Sequence, residues 1–192
     1  MNLVTGRQRS LICLACVGLD RLPEDAQGKA CRLHELGPTL KKRMINIRPY
    51  TALDLQACLR LFDGNVPKFF DPSERKAFAT FLQDLSLRTA FLAIENDGVI
   101  IACGGHVMED EGQTAGLCWG MVDQSMHGQG LGRLLTDARL QAIRKQPSVQ
   151  RVRLDTSQHT HAFYSRFGFS VEKVEKDGYG PGLDRHDMVL LL

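Results

Sequence analysis

Glycine recurs at 128, 130 and 132 in the run Gly120-Met121-Val122-Asp123-Gln124-Ser125-Met126-His127-Gly128-Gln129-Gly130-Leu131-Gly132-Arg133-Leu134-Leu135. The spacing predicts a strand end, a short turn, a glycine-rich loop and then a helix. Glycine leaves peptide N–H groups uncovered. A helix that starts at once puts those groups at its positive dipole end. Such a loop is a phosphate cradle. Two phosphate-binding patterns are excluded by spacing. A P-loop requires G-x-x-x-x-G-K-[ST], and no such run exists. A dinucleotide fingerprint requires G-x-G-x-x-G. Counted from Gly128 its third glycine falls on Arg133, and counted from Gly130 it falls on Leu135. On the loop alone, a glycine-rich turn without a ligand stays open as the alternative.

The second segment with chemistry is Ala162-Phe163-Tyr164-Ser165-Arg166-Phe167-Gly168-Phe169. It reads as a short helix carrying a phenol, closed by Gly168 at the C′ position. Taken together, the two segments resemble the GNAT N-acetyltransferases. That family has a pyrophosphate loop [QR]-x-x-G-x-[GA], here His127-x-x-Gly130-x-Gly132, and an F/L-Y helix followed by G-F. The segments lie about 32 residues apart, with a helix, a strand and a helix start between them, as the family requires. The resemblance covers about residues 45–192.

The resemblance implies acetyl-CoA as co-substrate and a direct attack by an amine, with no acyl-enzyme. It places the diphosphate on the backbone of His127, Gly128, Gln129, Gly130, Leu131, Gly132 and Arg133. It places Met121 and Val122 beside the pantetheine, and an adjacent N–H at the thioester oxyanion. Tyr164 is then positioned to protonate the leaving thiolate. Two departures stand out. His127 replaces the usual Gln or Arg, and Ser157 stands where the family often has Asn, with Gln158 next to it. The sequence does not single out a base for the amine. Asp155, the acidic run Glu109-Asp110-Glu111 and His186 are candidates. In the family the turn-rich stretch 177–187 often lines the acceptor pocket, which makes Tyr179, Asp184 and Arg185 substrate candidates. The competing reading is a module that binds acyl-CoA as a sensor, which has no need of an acid such as Tyr164.

The elements that must carry these residues follow from periodicity. Ile45–Arg48 reads as a strand. Thr51 and Asp54 resemble a capping box before a helix to about Phe62. Residues 63–70 read as a loop, and Asp71-Pro72-x-Glu74 starts a second helix. Ala90–Ile94 and Val99–Val107 are strands joined at Asn96-Asp97-Gly98, and Thr114–Val122 is a third. Leu131, Leu134, Leu135, Ala138 and Ala142 make one apolar helix face, ended by Pro147. Ser148–Thr156 is a strand, His159–Phe167 a helix, and Phe169–Val174 and His186–Leu192 are the last strands. The order β-α-α-β-β-β-α-β-α-β-β predicts an α/β (α+β) fold. The resemblance adds that the sheet is mixed, mostly antiparallel, with helices on both faces.

Bulk properties bound the rest. At 43% hydrophobic and 24% charged, the 192 residues suit one globular domain with an extension. The net charge of +2 is uneven. Residues 1–43 hold eight Lys/Arg against four Asp/Glu, and residues 44–192 hold sixteen against eighteen. The slightly acidic domain argues against nucleic acid and favours a cationic acceptor, a small-molecule or protein amine. No apolar run reaches the roughly 18 residues of a membrane span. Arg7, Arg9 and the run Leu11–Leu19 imitate a signal peptide but lack its cleavage site. A cytoplasmic protein is expected, since acetyl-CoA is a cytosolic metabolite. Cys58, Cys103 and Cys118 look like buried thiols. Cys13, Cys16, Cys31 and His34 have zinc-like spacing. The first pair, however, lies in an apolar run without turn residues, so no metal is expected. Residues 1–43 carry no periodic element, and Met44 directly precedes the first strand. The functional chain is therefore expected to start near Met44. The resemblance also allows a homodimer.

Overall fold

The computed structural model describes residues 44–192. Strand β1 is Ile45–Pro49. The capping box follows, with the Thr51 N–H donating to Asp54 Oδ2 at 2.8 Å. A 3-10 turn leads into helix α1, Leu55–Asn65. The helix runs past Phe62 into the expected loop because Asn65 ties its last turn down. The Asn65 amide donates to the Leu61 carbonyl at 2.7 Å and to the Val122 carbonyl at 3.0 Å. The second helix starts as Asp71-Pro72 predicts. Asp71 Oδ1 accepts from the Ser73 N–H, Glu74 Oε1 accepts from the Asp71 N–H, each at 2.8 Å, and α2 is Arg75–Gln83.

Strands β2 (Phe91–Asn96) and β3 (Val99–Glu109) form the hairpin, and β4 is Thr114–Val122. Helix α3 (Leu131–Arg144), β5 (Arg151–Ser157) and the short α4 (His161–Ser165) follow. The chain ends with β6 (Ser170–Gly180) and β7 (Leu183–Leu191). The order of elements is the expected one. The seven strands form one sheet in the order β1-β2-β3-β4-β5-β7-β6. Every pair is antiparallel except β4 and β5.

Three features shape the site. First, the parallel pair is short. Pairing runs from Thr114 opposite Arg151 only to Gly116 opposite Arg153. Beyond it β4 continues to Val122 and β5 to Ser157, so a wedge separates their C-terminal ends. Second, β4 is bulged. Trp119 holds φ at +48°, and the register with β3 shifts between Cys103 and Gly105. Such a conformation is costly for a large residue, on the order of 1–3 kcal/mol. It puts two consecutive residues, Cys118 and Trp119, into the same cluster, with Phe62, Phe70, Phe78 and Phe81 of the α1/α2 layer. Third, stretch 177–187 is a tight hairpin, not a long loop. Asp177 Oδ1 accepts from the Gly182 N–H at 2.6 Å, and Asp184 Oδ1 accepts from the Asp177 N–H at 2.9 Å.

The buried face of α3 departs from the expected one. Leu131 and Leu135 point inward, but so do Thr136, Arg139, Leu140 and Ile143, while Leu134 is exposed. Arg139 fits because β3 and β4 meet at two glycines. A Cβ on Gly104 would stand 2.8 Å from the Gly120 Cα and 3.3 Å from Arg139 Nη1. Leu140 and Ile143 close a second core with Tyr164, Phe169, Val152 and Met188. Cys58, Cys103 and Cys118 are buried thiols.

Candidate active site

The cradle is built by backbone conformation. Gly128 and Gly130 hold φ at +79° and +78°, where only glycine sits without strain. The first bond of α3 runs from the Leu134 N–H to the Gly130 carbonyl at 3.0 Å. The amides of residues 131–133 therefore have no intrahelical acceptor. Gly128, Gln129 and Gly130 are exposed, and nothing lies within 4 Å of a Cβ placed on Gly130. Leu131 and Gly132 are buried and anchor the helix start. Arg133 stays on the solvent side, loosely paired with Asp137 at 3.7 Å. An open, glycine-lined helix N-terminus of a 14-residue helix fits a diphosphate.

At the lips of the wedge the residues do not all point as the resemblance implies. The His127 ring turns back onto its strand, with Nε2 at 3.1 Å from the Val122 carbonyl. A carbonyl only accepts, so the proton is on Nε2. The same carbonyl takes the Asn65 amide. Pantetheine can pair with this carbonyl only if His127 moves off it. Met121 is fully buried, with its side chain in the aromatic cluster. Ser157 is also fully buried, and its hydroxyl accepts from the His159 N–H at 3.3 Å, so it shapes the turn after β5. Phe69 bridges the two lips. Its ring meets His127 edge-on at 5.6 Å and His159 edge-on at 6.4 Å.

Tyr164 is fully buried beside the wedge, edge-on to Phe163 at 4.9 Å and to Phe169 at 5.9 Å. It lies on the α3 face of the sheet with Leu117 of β4 and Leu154 of β5.

Of the acceptor-side candidates, the structure brings Asp155, Tyr179 and Arg185 together and leaves the others out. Asp155 is 2% exposed. Its Oδ2 accepts from the Tyr179 hydroxyl at 2.7 Å and stands 3.7 Å from Arg185 Nε. Burial pushes its carboxyl up to about 6, against the pull of Arg185 and the tyrosine bond. Burial and Asp155 push the Tyr179 hydroxyl well above the usual phenol range. Arg185 Nε is nearer to Asp187 Oδ1, at 2.7 Å. Asp184 holds the hairpin together through its own bond to Asp177, which removes it from the candidate set. His186 stacks on His161 at 4.7 Å, and burial lowers its basicity.

The acidic run divides: Asp110 and Glu111 lie away from the wedge, while Glu109 lines the same small cavity as Asp155 and Asp187. Asp110 is engaged by Thr114 and Arg151 at the opposite end of β4 from Val122, about 26 Å of strand away. Glu111 is exposed in the same turn. Glu109 lies over Gly116, where burial raises its carboxyl.

Sequence reasoning missed three residues. Asn65 and Phe69 fall in the stretch 63–70, whose sequence reads as loop. Glu74 carries only the signal of a helix start. It is half-buried, and burial pushes its carboxyl up to about 7, with Asp71 and Asp155 adding to the effect. Its signal was the spacing Asp71-x-x-Glu74, which marks a cap and says nothing of what packs over it.

Among the described residues, no group of three or more His, Cys, Asp or Glu is placed to hold a metal ion. Among them, no helix is long and apolar enough to cross a membrane. The Cys13, Cys16, Cys31 and His34 set, and the stretch before Met44, lie outside the described residues.

Comparison with known proteins agrees with this geometry. The model of the acetyltransferase (GNAT) family matches residues 57–169, which include the glycine loop, the β4–β5 wedge and Tyr164. The match covers more than half of the chain, and the chain belongs to that family. Among solved structures the fold is similar to Ard1 from Thermoplasma volcanium, with a TM-score of 0.66 at 17% identity over 77% of this chain and 97% of that one. It is also similar to the ribosomal-protein-S18-alanine N-acetyltransferase from Escherichia coli, with a TM-score of 0.64 at 21% identity over 77% and 94%. A third, yncA from Salmonella typhimurium, was solved with its cofactor acetyl-CoA; its TM-score is 0.63 at 19% identity over 78% and 94%. No curated protein matches the chain.

Proposed function

We propose that this protein moves an acetyl group from acetyl-CoA to a primary amine by direct attack in a ternary complex. The observation that carries the reading is the join of two features. The β4–β5 pairing stops after Gly116 and Arg153, and the wedge it leaves ends at the glycine cradle of α3. In this reading residues 128–133 hold the diphosphate through backbone N–H groups. The β4 backbone at Met121 and Val122 orients the pantetheine once His127 has swung aside. The acceptor enters from the side of Asp155, Tyr179 and Arg185.

The chemistry needs two proton movements. A free alkylammonium, with a pKa near 10.4, must first lose a proton to become a nucleophile. The amine nitrogen then forms the new C–N bond, and the C–S bond to CoA breaks. Tyr164 gives its proton to the departing sulfur. The nitrogen sheds its second proton, and Tyr164 is reprotonated. Net, the ammonium loses two protons, one ending on sulfur and one in solvent. A thiol pKa near 8.5 makes the help from Tyr164 modest.

The test is a thermal-shift titration of the full chain with acetyl-CoA, CoA and NAD. A ligand at 100 times its Kd adds about 2.7 kcal/mol, on the order of 5–10 °C for a domain of this size. The expected result is a shift with both CoA forms and none with NAD. No shift with any of them overturns the reading. A shift without CoA release across a panel of amines favours the sensor.

A further inference from the structure

Two carboxylates from distant parts of the chain, one bonded to Tyr179 and one in the Asp71–Glu74 cap that packs against Gly180, each have one oxygen that has nothing to bind. Asp155 Oδ2 takes the tyrosine hydroxyl, while Oδ1 is buried without a partner. Glu74 Oε1 takes the Asp71 N–H, while Oε2 is buried without a partner. The negative charge of Asp155 adds to the rise of the Glu74 carboxyl, and both carboxylates push the Tyr179 hydroxyl up. Asp71, on the same turn as Glu74, reaches the β6–β7 hairpin, since a Cβ on Gly180 would stand 3.3 Å from its Oδ2. From β7, Asp187 adds a further carboxylate, and Arg185 supplies a positive charge divided between Asp155 and Asp187. Buried carboxylate oxygens in such an excess either keep protons or wait for a cation.

We infer that Glu74 and Asp155 together receive the cationic nitrogen of the acceptor, and that Glu74 Oε2 takes its first proton. The inference rests on the acetyltransferase reading and adds to it the residues that hold the amine and the base. An alkylammonium brings three donors and no acceptor, which suits two unpartnered carboxylate oxygens. An alcohol or thiol brings one donor and no charge. The environments divide the labour. Asp155, at about 6, stays ionised near neutral pH and holds the nitrogen. Glu74, at about 7, is closer to the working pH and takes the proton from nitrogen to oxygen, then releases it to water. Asp71, Asp155 and Tyr179 are the titratable groups that act on Glu74, and Tyr179, Arg185, Asp187, Glu109 and Arg153 are the titratable and charged groups around Asp155.

The test is carboxyl-carbon NMR of the full chain, bound to CoA so that no turnover occurs. Glu74 and Asp155 are assigned by the signals lost in Glu74→Gln and Asp155→Asn. The probes are n-butylammonium chloride, 1-butanol, and sodium chloride at equal ionic strength. The expected result is that butylammonium moves the Glu74 midpoint down by about one pH unit or more, while butanol and sodium chloride leave it in place. A midpoint unmoved by butylammonium, or moved equally by sodium chloride, overturns the inference. Amide signals of residues 128–132 in the same sample separate the two claims. If they ignore CoA, the acetyltransferase reading fails. If they respond to CoA and Glu74 ignores butylammonium, only the present inference fails.

Discussion

Asp155, Tyr179 and Arg185 were separate candidates in the sequence, and in the structure they are one cluster. The joining step is strand pairing: β7 lies between β5 and β6, with Ser157 opposite Arg185 and Asp155 opposite Asp187. Two predictions belong to this scale. Tyr164→Phe keeps the buried ring and removes the proton donor. It is expected to lower kcat about a hundred-fold, the low end for acid catalysis, with KM for acetyl-CoA unchanged in steady-state assays. Asp155 carries a pH signature. Its carboxyl is raised from 3.8 to about 6, so the folded state holds a proton that the unfolded state has lost. The stability tied to that proton is full below the unfolded value and is lost as pH rises through about 6. Asp155→Asn, which cannot ionise, is therefore expected to gain stability relative to wild type between pH 4 and pH 7. The gain is of order 1–3 kcal/mol, read by urea unfolding at the two ends. A difference independent of pH would sink this account.

At the scale of elements, the glycines divide into those that shape a turn and those that let strands approach. Gly130 is of the first kind. Its φ is +78° and a Cβ would meet nothing, so Gly130→Ala adds backbone strain without a clash. The expected cost is about 1 kcal/mol, with weaker CoA binding in a calorimetric titration. Gly104 is of the second kind. Its Cβ would press on the Gly120 backbone at 2.8 Å, where β4 leaves the regular ladder. Gly104→Ala is expected to cost about 1–3 kcal/mol in the urea midpoint, and to weaken CoA binding because the bulge sets the direction of β4. In helix α3 the apolar repeat and the buried face differ. Apolar spacing selected Leu134, Ala138 and Ala142, yet the buried side carries Thr136 and Arg139. Periodicity counts hydrophobic residues, and it has no information on the space that two glycines on neighbouring strands leave for a guanidinium.

Across the whole molecule, the α1/α2 aromatics pack one face of the sheet, and α3 with α4 packs the other. The wedge lies between them, where β4 and β5 cease to pair. The packed clusters of the described residues draw on Ile47 and later residues and join strands from both ends of this stretch. A chain beginning at Met44 is therefore expected to unfold in one cooperative transition and to keep the CoA-induced shift in Tm. A broad, non-cooperative melt would mean that residues 1–43 complete the fold. The sequence by itself determined the element order, the turn chemistry, the cradle and the family, because these depend on residues close together in the chain. Glycine at positive φ, a cap three residues from its partner and an apolar repeat are all local. Only the tertiary structure decided that His127 turns onto Val122 and that Phe69 bridges the lips of the wedge. It alone set the Asp71–Glu74 cap against the hairpin that carries Tyr179. Those contacts join segments that are far apart in sequence, and their geometry comes from sheet register and from one bulged strand, which no local pattern records.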